Sequence, residues 1–390
     1  MNLSHRITHI TPGGSDGWEV FYKSRQMIAD GVDVVELTIG EHDIRTDPII
    51  LDAMHAAAKG GHTGYAMVPG IVALRDKVAA RLQAQSGIPT TRDNILITPG
   101  GQAALFAAHL ACCNEGDVAL ICDPYYATYP GTVRGIGATP RPVICTPENN
   151  FQPQKADILA ASEGATSILI NTPNNPTGVV YDAATVRGIA EAATHADLWV
   201  ISDEVYDSQV WKGAHISPRS LPDMADRTLI VGSMSKSHAM TGSRVGWVAG
   251  PVQAIEHLTN LATHTTYGVA GYIQDAALFA LNQGPAFEAE IGAPFKRRRA
   301  LAKSVINGQN VVKMINSDGA MYLMLDIRAT GLSATDFAYG LLHAHHIAVM
   351  PGDSFGQAAA GHIRVAMTIE DTKFTQALET LCTFAANQIP

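Results

Sequence analysis

The chain has 390 residues, of which 46% are hydrophobic and 16% are charged. This composition is typical of a globular protein and excludes a disordered or fibrous chain. The net charge of −9 argues against nucleic acid or an anionic membrane as a partner, although a few local cations can still hold a small anion. The five cysteines form no CxxC pair, which favours a reducing compartment, and no apolar stretch reaches the roughly 20 residues that span a bilayer. We therefore expect a cytoplasmic protein of two or three domains.

Short β-branched runs alternate with alanine-rich stretches through most of the chain. The helices predicted in this part are 102–113 and 183–196. The buried strands predicted in this part are 118–122, 167–170, 198–202, 228–231 and 245–249. This alternation predicts an α/β protein with a mostly parallel sheet covered by helices. Because ligands of such sheets bind at the carboxyl ends of the strands, the polar residues that follow these strands mark the expected site.

The sequence after residue 285 has a different pattern. A basic run at 296–299 lies in a predicted long helix, where we expect it to form a solvated face. The further elements predicted are strands at 321–327 and 362–367, a helix at 334–344 and a final helix from 371 onward. This mixture predicts a second domain of the α+β type.

Several generic motifs are absent or lack their companions. Neither GxGxxG nor GxxxxGK[ST] occurs, which excludes the usual dinucleotide and P-loop sites. Residues 352–356 match the GxSxG of hydrolases without the Asp and later His of a triad, and residues 233–236 match SxxK without its companion motifs. The histidines at 343, 345 and 346 lack the spacing of metal ligands, so no metal site is expected.

Lys236 is the most informative cation of the chain. It follows a predicted strand in a loop rich in serine and glycine, and Arg244 lies shortly after it. A lysine amine forms a Schiff base with an aldehyde, while serine hydroxyls and a guanidinium hold a phosphate dianion. Asp203, at the end of the preceding strand, is suited to keep a pyridine nitrogen protonated. Taken alone, however, such a lysine is a solvated charge and such an aspartate caps a helix or joins a buried ion pair.

Two turns carry polar or glycine residues next to the same predicted strands. Gly100 and Gly101 open a helix, whose first N–H groups bind anions, although taken alone the pair is better explained by a simple turn. Residues 171–178 set two asparagines between prolines after a strand, which defines a rigid polar turn. Both turns are expected at the carboxyl edge of the sheet or beside it.

This combination resembles the class I/II pyridoxal-phosphate aminotransferases of fold type I, the aspartate aminotransferase superfamily, over essentially the whole chain. The motifs that carry the resemblance occur in the family's order: Gly40-Glu41, Tyr65 with Pro69-Gly70, Gly100-Gly101-Gln102, Asp123-Pro124-Tyr125-Tyr126, Asn174-Asn175-Pro176, Asp203-Glu204-Val205-Tyr206, Ser233-Met234-Ser235-Lys236, Arg244-Val245-Gly246, Pro351-Gly352 and Ile363-Arg364-Val365. The resemblance implies a large α/β domain with a mostly parallel seven-stranded sheet, and a smaller α+β domain built from both chain ends. The implied boundaries are 46–284 for the large cofactor-binding domain, and 1–45 together with 285–390 for the small domain.

The resemblance implies an aminotransferase that works by a ping-pong mechanism with pyridoxal 5′-phosphate as its cofactor. Lys236 corresponds to the Schiff-base lysine, which also moves the substrate proton. Asp203 corresponds to the partner of the pyridine nitrogen, and Asn175 and Tyr206 to contacts of the phenolic oxygen. Tyr126 corresponds to the aromatic residue stacked on the ring.

The resemblance also implies how the phosphate and the substrate are held. Tyr65 is implied to reach the phosphate of the partner subunit in a homodimer. Arg364 is implied to bind the α-carboxylate of an amino acid or 2-oxo acid, with Gly40 and Asn175 beside it. The phosphate contacts implied within one chain are Gly101, Gln102, Ser233 and Arg244.

Some positions depart from the commoner forms of the family. Gln102 stands where a small hydroxyl residue is frequent, so only its backbone N–H is expected to serve, and His42 stands where proline is frequent and receives no role. Two interpretations of the early segment stay open. Trp18 favours apolar or aromatic substrates and Asp16 disfavours acidic ones, or both residues only pack against and cap the first helix.

Two other functions remain as alternatives to transamination. A carbon–sulfur β-lyase uses the same fold and cofactor and differs in returning pyruvate. A non-catalytic regulator that binds the cofactor belongs to another class, and such regulators carry an added DNA-binding segment. The first motif, near Gly40, leaves no room for that segment in the sequence, and the net charge of −9 also disfavours it.

Overall fold

The structure is a computed structural model that describes residues 1–12 and 17–389. Its helices are α1 (His5–Thr8), α2 (Glu19–Ala29), α3 (Pro48–Lys59), α4 (Val72–Ser86), α5 (Gly101–Cys112), α6 (Tyr129–Gly135), α7 (Lys155–Ala161), α8 (Ala183–His195), α9 (Met234–Ser237), α10 (Val252–Thr263), α11 (Gly271–Asn282), α12 (Pro285–Asn307), α13 (Ala334–His345) and α14 (Asp371–Ala386). Its strands are β1 (Val35–Glu36), β2 (Ile95–Thr98), β3 (Val118–Asp123), β4 (Thr139–Ile144), β5 (Ala165–Asn171), β6 (Trp199–Asp203), β7 (Thr228–Ser233), β8 (Gly246–Ala249), β9 (Lys313–Met314), β10 (Tyr322–Asp326), β11 (Ile347–Ala348), β12 (Met350–Pro351) and β13 (His362–Ala366). Every strand and helix predicted from the sequence overlaps one of these elements.

A seven-stranded sheet, counted over the described residues, lies at the centre in the order β2-β8-β7-β6-β5-β3-β4. Strand β8 runs antiparallel to both of its neighbours, and the other pairs are parallel. Successive side chains of β3 point to opposite faces, so that Ala119 and Ile121 pack with α5 while Leu120 and Cys122 pack with α8. Helices thus cover both faces, which confirms the predicted α/β class and mostly parallel sheet.

A smaller antiparallel sheet, in the order β12-β13-β10-β9, is formed by the C-terminal part of the chain. Strand β1, near the N-terminus, pairs in parallel with β11, so that Val35 lies opposite Ile347 and Glu36 opposite Ala348. One buried hydrophobic cluster joins this sheet to α12, α13 and α14. The early and late parts of the chain therefore pack together.

The basic run of α12 is only partly solvated, contrary to the expectation from sequence. Arg298 is buried and pairs with Asp43 and Asp371, at 2.6 and 2.9 Å. Arg299 pairs with Asp318. The carboxylate partners come from distant parts of the chain, and for this reason the local charge pattern gave the wrong prediction for these two arginines.

Two further observations concern the cysteines and the helices. All five cysteines lie in the described part of the chain, where they are buried and unpaired. Within residues 1–12 and 17–389, no helix combines the length and the apolar character needed to cross a membrane.

Candidate active site

A cavity of about 1110 Å³ opens at the carboxyl ends of β5, β6 and β7, which are neighbours in the central sheet. The residues predicted from sequence that line it are Trp18, Gly40, Gly101, Gln102, Tyr126, Asn175, Asp203, Tyr206, Ser233, Lys236, Arg244 and Arg364. Of the predicted site residues that the structure describes, only Tyr65 lies outside this lining. The fold therefore brings together side chains from both ends and the middle of the sequence.

Lys236 lies on the single turn of helix α9, which follows directly from the end of β7. The Ser233 hydroxyl caps this turn by accepting the Ser235 N–H at 3.0 Å. The Lys236 amine donates to the Gly40 carbonyl oxygen at 2.5 Å. The amine is therefore fixed at the wall of the cavity by the backbone of a distant segment.

Asp203 is the last residue of β6 and is only 4% exposed. The Tyr129 hydroxyl donates to its Oδ2 at 2.6 Å, and the Val205 N–H donates to Oδ1 at 3.3 Å. Burial raises the pKa of Asp203 to about 6, while these two hydrogen bonds act in the opposite direction. Such a carboxyl group is stabilised in its charged form when a cation is placed next to it.

Helix α5 begins next to the Arg244 guanidinium at the cavity. Gly100 has φ of 81°, which favours glycine, and a Cβ placed on it would lie 2.8 Å from the guanidinium carbon of Arg244. The first N–H groups of a helix have no acceptor within the helix, so they and the guanidinium face the same small space. The Gln102 side chain instead donates to the Thr132 hydroxyl at 2.8 Å, which leaves only its backbone for an anion.

The aromatic wall of the cavity is formed by Tyr126 and its neighbours. The Tyr126 and Tyr129 rings pack edge to face, with centroids 5.7 Å apart and planes at 88°. Burial raises the pKa of Tyr126 to about 12, so the ring is a neutral surface. Tyr129 had no motif of its own in the sequence, and the structure alone connects it to Asp203.

Arg364, on β13, is the most deeply buried cation of the cavity wall. Its Nη1 donates to Asn175 Oδ1 at 2.9 Å, and its Nη2 donates to the Thr38 carbonyl oxygen. Its Nε has no partner within the part of the chain that the structure describes. Burial lowers the pKa of this guanidinium below its ordinary value. An incoming carboxylate would therefore meet a buried, fixed and incompletely satisfied cation.

Aromatic rings enclose the Arg364 guanidinium. The Phe355 and Tyr322 ring centroids lie 4.4 and 4.5 Å from its central carbon, and the Trp18 centroid lies at 5.9 Å. Trp18 thus faces the cavity next to Arg364, while Asp16 lies outside the described residues. Neither Tyr322 nor Phe355 was singled out as a site residue from the sequence.

His42 is buried near Lys236 and does not line the cavity. It is 5% exposed, and its ring meets the edge of Phe295 at 5.2 Å. Burial, followed by the positive charge of Lys236, lowers the pKa of His42 to about 4. His42 is therefore neutral near pH 7, and neither ring nitrogen has a partner among the described residues.

The donor set fits one cofactor, group by group. A lysine amine suits an aldehyde, a buried carboxylate suits a pyridine nitrogen, a tyrosine face suits an aromatic ring, and a helix start with a guanidinium suits a phosphate. Pyridoxal phosphate carries all four of these groups. Fold and site together define an enzyme of the pyridoxal-phosphate class, and a further guanidinium, that of Arg364, lines the same cavity.

Comparison with known proteins agrees with this class. The family model of aminotransferase class I and II matches residues 32–381, and the chain belongs to this family. An arginine–pyruvate transaminase of Pseudomonas aeruginosa is 37% identical over 388 residues, covering 99% of this chain and 98% of that protein. An aspartate/prephenate aminotransferase of Thermus thermophilus is 32% identical, covering 97% of each chain.

Solved structures show the same likeness. The Thermus thermophilus aspartate aminotransferase with maleate superposes with a TM-score of 0.91 at 31% identity, covering 98% of this chain and 100% of that one. An aromatic aminotransferase from Pyrococcus horikoshii gives a TM-score of 0.88 at 30% identity, covering 94% and 99%. The chain is therefore an aminotransferase that depends on pyridoxal phosphate, which confirms the family, reaction class and cofactor predicted from sequence.

Proposed function

We propose that this aminotransferase moves an amino group from an amino acid to a 2-oxo acid with Lys236, Asp203 and Tyr206 as its catalytic residues. The observation that carries the proposal is that the Lys236 amine, the Asp203 carboxylate and the Arg364 guanidinium line one cavity. Pyridoxal phosphate, when bound, supplies an electron-withdrawing ring that stabilises negative charge at the substrate α-carbon. The protein supplies the groups that hold this ring and move protons around it.

Asp203 is the residue that would keep the pyridine nitrogen protonated. A pyridinium at this position would stabilise the charged form of this carboxyl group, whose pKa is raised by burial to about 6. Tyr126 would cover the ring face, and Asn175 and Tyr206 would donate to the phenolic oxygen. The buried positions of Asn175 and Tyr206 on the cavity wall support this assignment.

Lys236 would bind the cofactor aldehyde and then, once the substrate amine takes its place, carry the proton of the substrate α-carbon. Arg364 would fix the substrate carboxylate, with Gly40 and Asn175 beside it, so that the α-hydrogen faces the lysine. The hydrogen bond between the Lys236 amine and the Gly40 carbonyl supports this juxtaposition. The groups that would hold the phosphate are the N–H groups of Gly101 and Gln102, the Ser233 hydroxyl and the Arg244 guanidinium.

We propose that the protein is a cytoplasmic homodimer in which Tyr65 reaches the phosphate of the partner subunit. Tyr65 is 92% exposed, and its ring meets the edge of Tyr267, itself 53% exposed, at 5.1 Å. Met67 beside them is 59% exposed. An apolar surface of this kind supports burial against a second copy, and unpaired buried cysteines suit a reducing compartment.

Contacts between the two ends of the chain support the domain division proposed from sequence, with a large domain at 46–284 and a small domain at 1–45 and 285–390. The parallel pairing of Val35–Glu36 with Ile347–Ala348 supports the union of both chain ends. The Arg298–Asp43 ion pair adds a second link between them at 2.6 Å.

A spectral half-reaction tests the function and its catalytic lysine. Holoenzyme is mixed with an amino donor and no 2-oxo acid, and transamination should leave the aminated form of the cofactor with its shorter-wavelength absorbance. A β-lyase would instead restore the starting spectrum and release pyruvate. Lys236→Ala should abolish the visible absorbance of lysine-bound cofactor and the reaction, while the exposed control Lys313→Ala should retain both.

A donor panel would identify the substrate. L-arginine and L-aspartate are tested because they are named for relatives of this chain, and L-tyrosine is added to test whether Trp18 favours aromatic side chains. Each donor is paired with pyruvate and with 2-oxoglutarate. The panel is then extended to the other common amino acids, and if none of them is converted with either acceptor while the cofactor is bound to Lys236, the proposed transamination is wrong.

A further inference from the structure

Tyr322 connects the two ends of the site and belongs to none of the motifs found in the sequence. It is the first residue of β10 and is 3% exposed. Strand β10 pairs antiparallel with β13, with Met324 directly opposite Arg364. Tyr322 lies two residues before Met324, so it shares the face of the sheet on which Arg364 points into the cavity.

The hydroxyl of Tyr322 reaches the group proposed to contact the cofactor. It lies 3.1 Å from the Tyr206 hydroxyl, and either oxygen can donate. If Tyr206 donates its proton to the phenolic oxygen of the cofactor, Tyr322 must be the donor in the tyrosine pair. A tyrosine that accepts such a bond becomes a stronger donor itself, because chained hydrogen bonds polarise one another.

The Tyr322 hydroxyl also lies against the segment that holds the lysine amine. A Cβ placed on Gly40 would overlap the hydroxyl oxygen of Tyr322. The carbonyl of that same residue accepts the Lys236 amine. Any side chain at position 40 would therefore displace Tyr322, Lys236 or both.

The ring of Tyr322 forms one side of the enclosure around Arg364. Its centroid lies 4.5 Å from the guanidinium carbon, and Phe355 lies at 4.4 Å. Arginine is held in place when aromatic faces pack on it, and the contact is stronger when water is excluded. Arg364 itself is only 1% exposed, so this enclosure excludes water.

We propose that Tyr322 is a positioning residue, whose hydroxyl orients Tyr206 toward the cofactor and whose ring orients Arg364 toward the substrate carboxylate. The proposal rests on the roles of Tyr206 and Arg364 put forward above. The hydroxyl and the ring of Tyr322 have different roles in this proposal, so two substitutions can test them separately. Tyr322→Phe removes the hydroxyl alone, and Tyr322→Leu removes the ring as well.

The Tyr322→Phe holoenzyme tests the hydroxyl. Weaker donation from Tyr206 destabilises the deprotonated cofactor, so the pH midpoint of its visible absorbance change should rise by about half a unit. The KM for the best donor of the panel should stay close to wild type, because the ring is retained. A structural role alone would change stability without moving the pH midpoint, and an unmoved midpoint would overturn the first half of the proposal.

The Tyr322→Leu holoenzyme tests the ring. Its KM for the same donor should rise about tenfold, whereas its kcat should fall much less. Tyr339→Phe and Tyr339→Leu, at a half-buried tyrosine on α13 that stacks on His343, are the matched controls and should match wild type in both readouts. A KM equal to that of wild type would overturn the second half.

The controls also separate this proposal from the proposed function. If wild type transaminates and both Tyr322 variants equal it, only the role of Tyr322 is wrong. If wild type binds cofactor and converts no donor, the proposed function itself is wrong. If Tyr322→Leu fails to fold, the pH midpoint of Tyr322→Phe still decides the role of the hydroxyl. The KM of a Phe355→Leu variant, which removes the other ring packed on the guanidinium, then decides whether the enclosure orients Arg364.

Discussion

Replacing Asp203 by asparagine should stabilise the cofactor-free protein and weaken the cofactor-bound one. The carboxyl group is 4% exposed, and burial raises its pKa from 3.8 to about 6. Asparagine has nearly the same shape and still accepts the Tyr129 hydroxyl through its side-chain oxygen, although its amide nitrogen cannot accept the Val205 N–H, so the weaker bond of 3.3 Å is lost. It carries no charge that must be buried, so the cost of ionising this position disappears.

The sign and size of the effect follow from the two pKa values. The folded protein holds the Asp203 proton more tightly than the unfolded chain does, so wild type loses stability as the pH rises from 3.8 through about 6. One pKa unit corresponds to about 1.4 kcal/mol, so the loss is about 1.5 kcal/mol at pH 5 and about 3 kcal/mol at pH 8. The Asp203→Asn apoprotein should recover these amounts.

Thermal unfolding of the apoprotein at pH 5 and pH 8, at one protein concentration, measures the difference. For a chain of 390 residues, 3 kcal/mol corresponds to a rise in Tm of about 4 °C, with about half of that at pH 5. The exposed control Asp223→Asn should leave the pH dependence unchanged. Equal shifts at both pH values, or a lower Tm at pH 8, would refute the reasoning.

Cofactor binding should reverse the order of stabilities. Asparagine cannot supply the negative charge that pairs with a protonated pyridine nitrogen, so the variant should bind pyridoxal phosphate more weakly and gain less Tm from it. A higher Tm without cofactor and a smaller gain with cofactor would together identify Asp203 as the partner of that nitrogen. A general loss of packing would lower the Tm both without and with the cofactor.

Two further substitutions test the substrate cation and the subunit contact. Arg364→Lys should raise the KM for the amino donor by about tenfold to a hundredfold, because a point charge replaces a bidentate donor. An unchanged KM would contradict the assignment. The control is Arg328→Lys, at an exposed position. Tyr65→Ala should weaken cofactor binding, and unfolding and refolding it together with Lys236→Ala should create hybrid dimers with one intact site. Such a mixture should regain about a quarter of wild-type activity, whereas no regain would contradict a role for Tyr65 in the partner's site.

The central sheet could largely be predicted from sequence because its strands are apolar on both faces. Runs such as 198–202 and 228–231 are mostly apolar along their whole length, so they can be recognised without knowledge of distant residues. Strand β4 was not predicted, since Pro140 and Pro142 argue against a strand. Strand β4 lies at the edge of the sheet, where Pro140 and Pro142 are opposite Ala119 and Ile121 of β3. Prolines two residues apart would direct their backbone nitrogens to the same side, and on the outer side of an edge strand a missing N–H breaks no hydrogen bond of the sheet.

The candidate site was predictable only where a local motif carried it. Lys236 and Asp203 stand in short, characteristic segments at strand ends, and the structure brings them to one cavity. Tyr129 and Tyr322 carry no such segment, since a lone tyrosine in a sequence is indistinguishable from one that packs in a core. Their contacts depend on helix α6 and on the register of β10 against β13, which only the fold supplies.

The segment 38–43 contacts several buried or half-buried cations of the protein. The Thr38 carbonyl accepts the Arg364 guanidinium, and the Gly40 carbonyl accepts the Lys236 amine two residues later. Backbone carbonyls two residues apart therefore hold the two side chains to which we assign the substrate carboxylate and the α-proton. Asp43, just beyond, is held by buried Arg298 of helix α12 at 2.6 Å. Arg298, which belongs to the run predicted to be a solvated helix face, therefore anchors the segment 38–43 to helix α12. The same segment contacts Arg364 and Lys236 through its carbonyl groups.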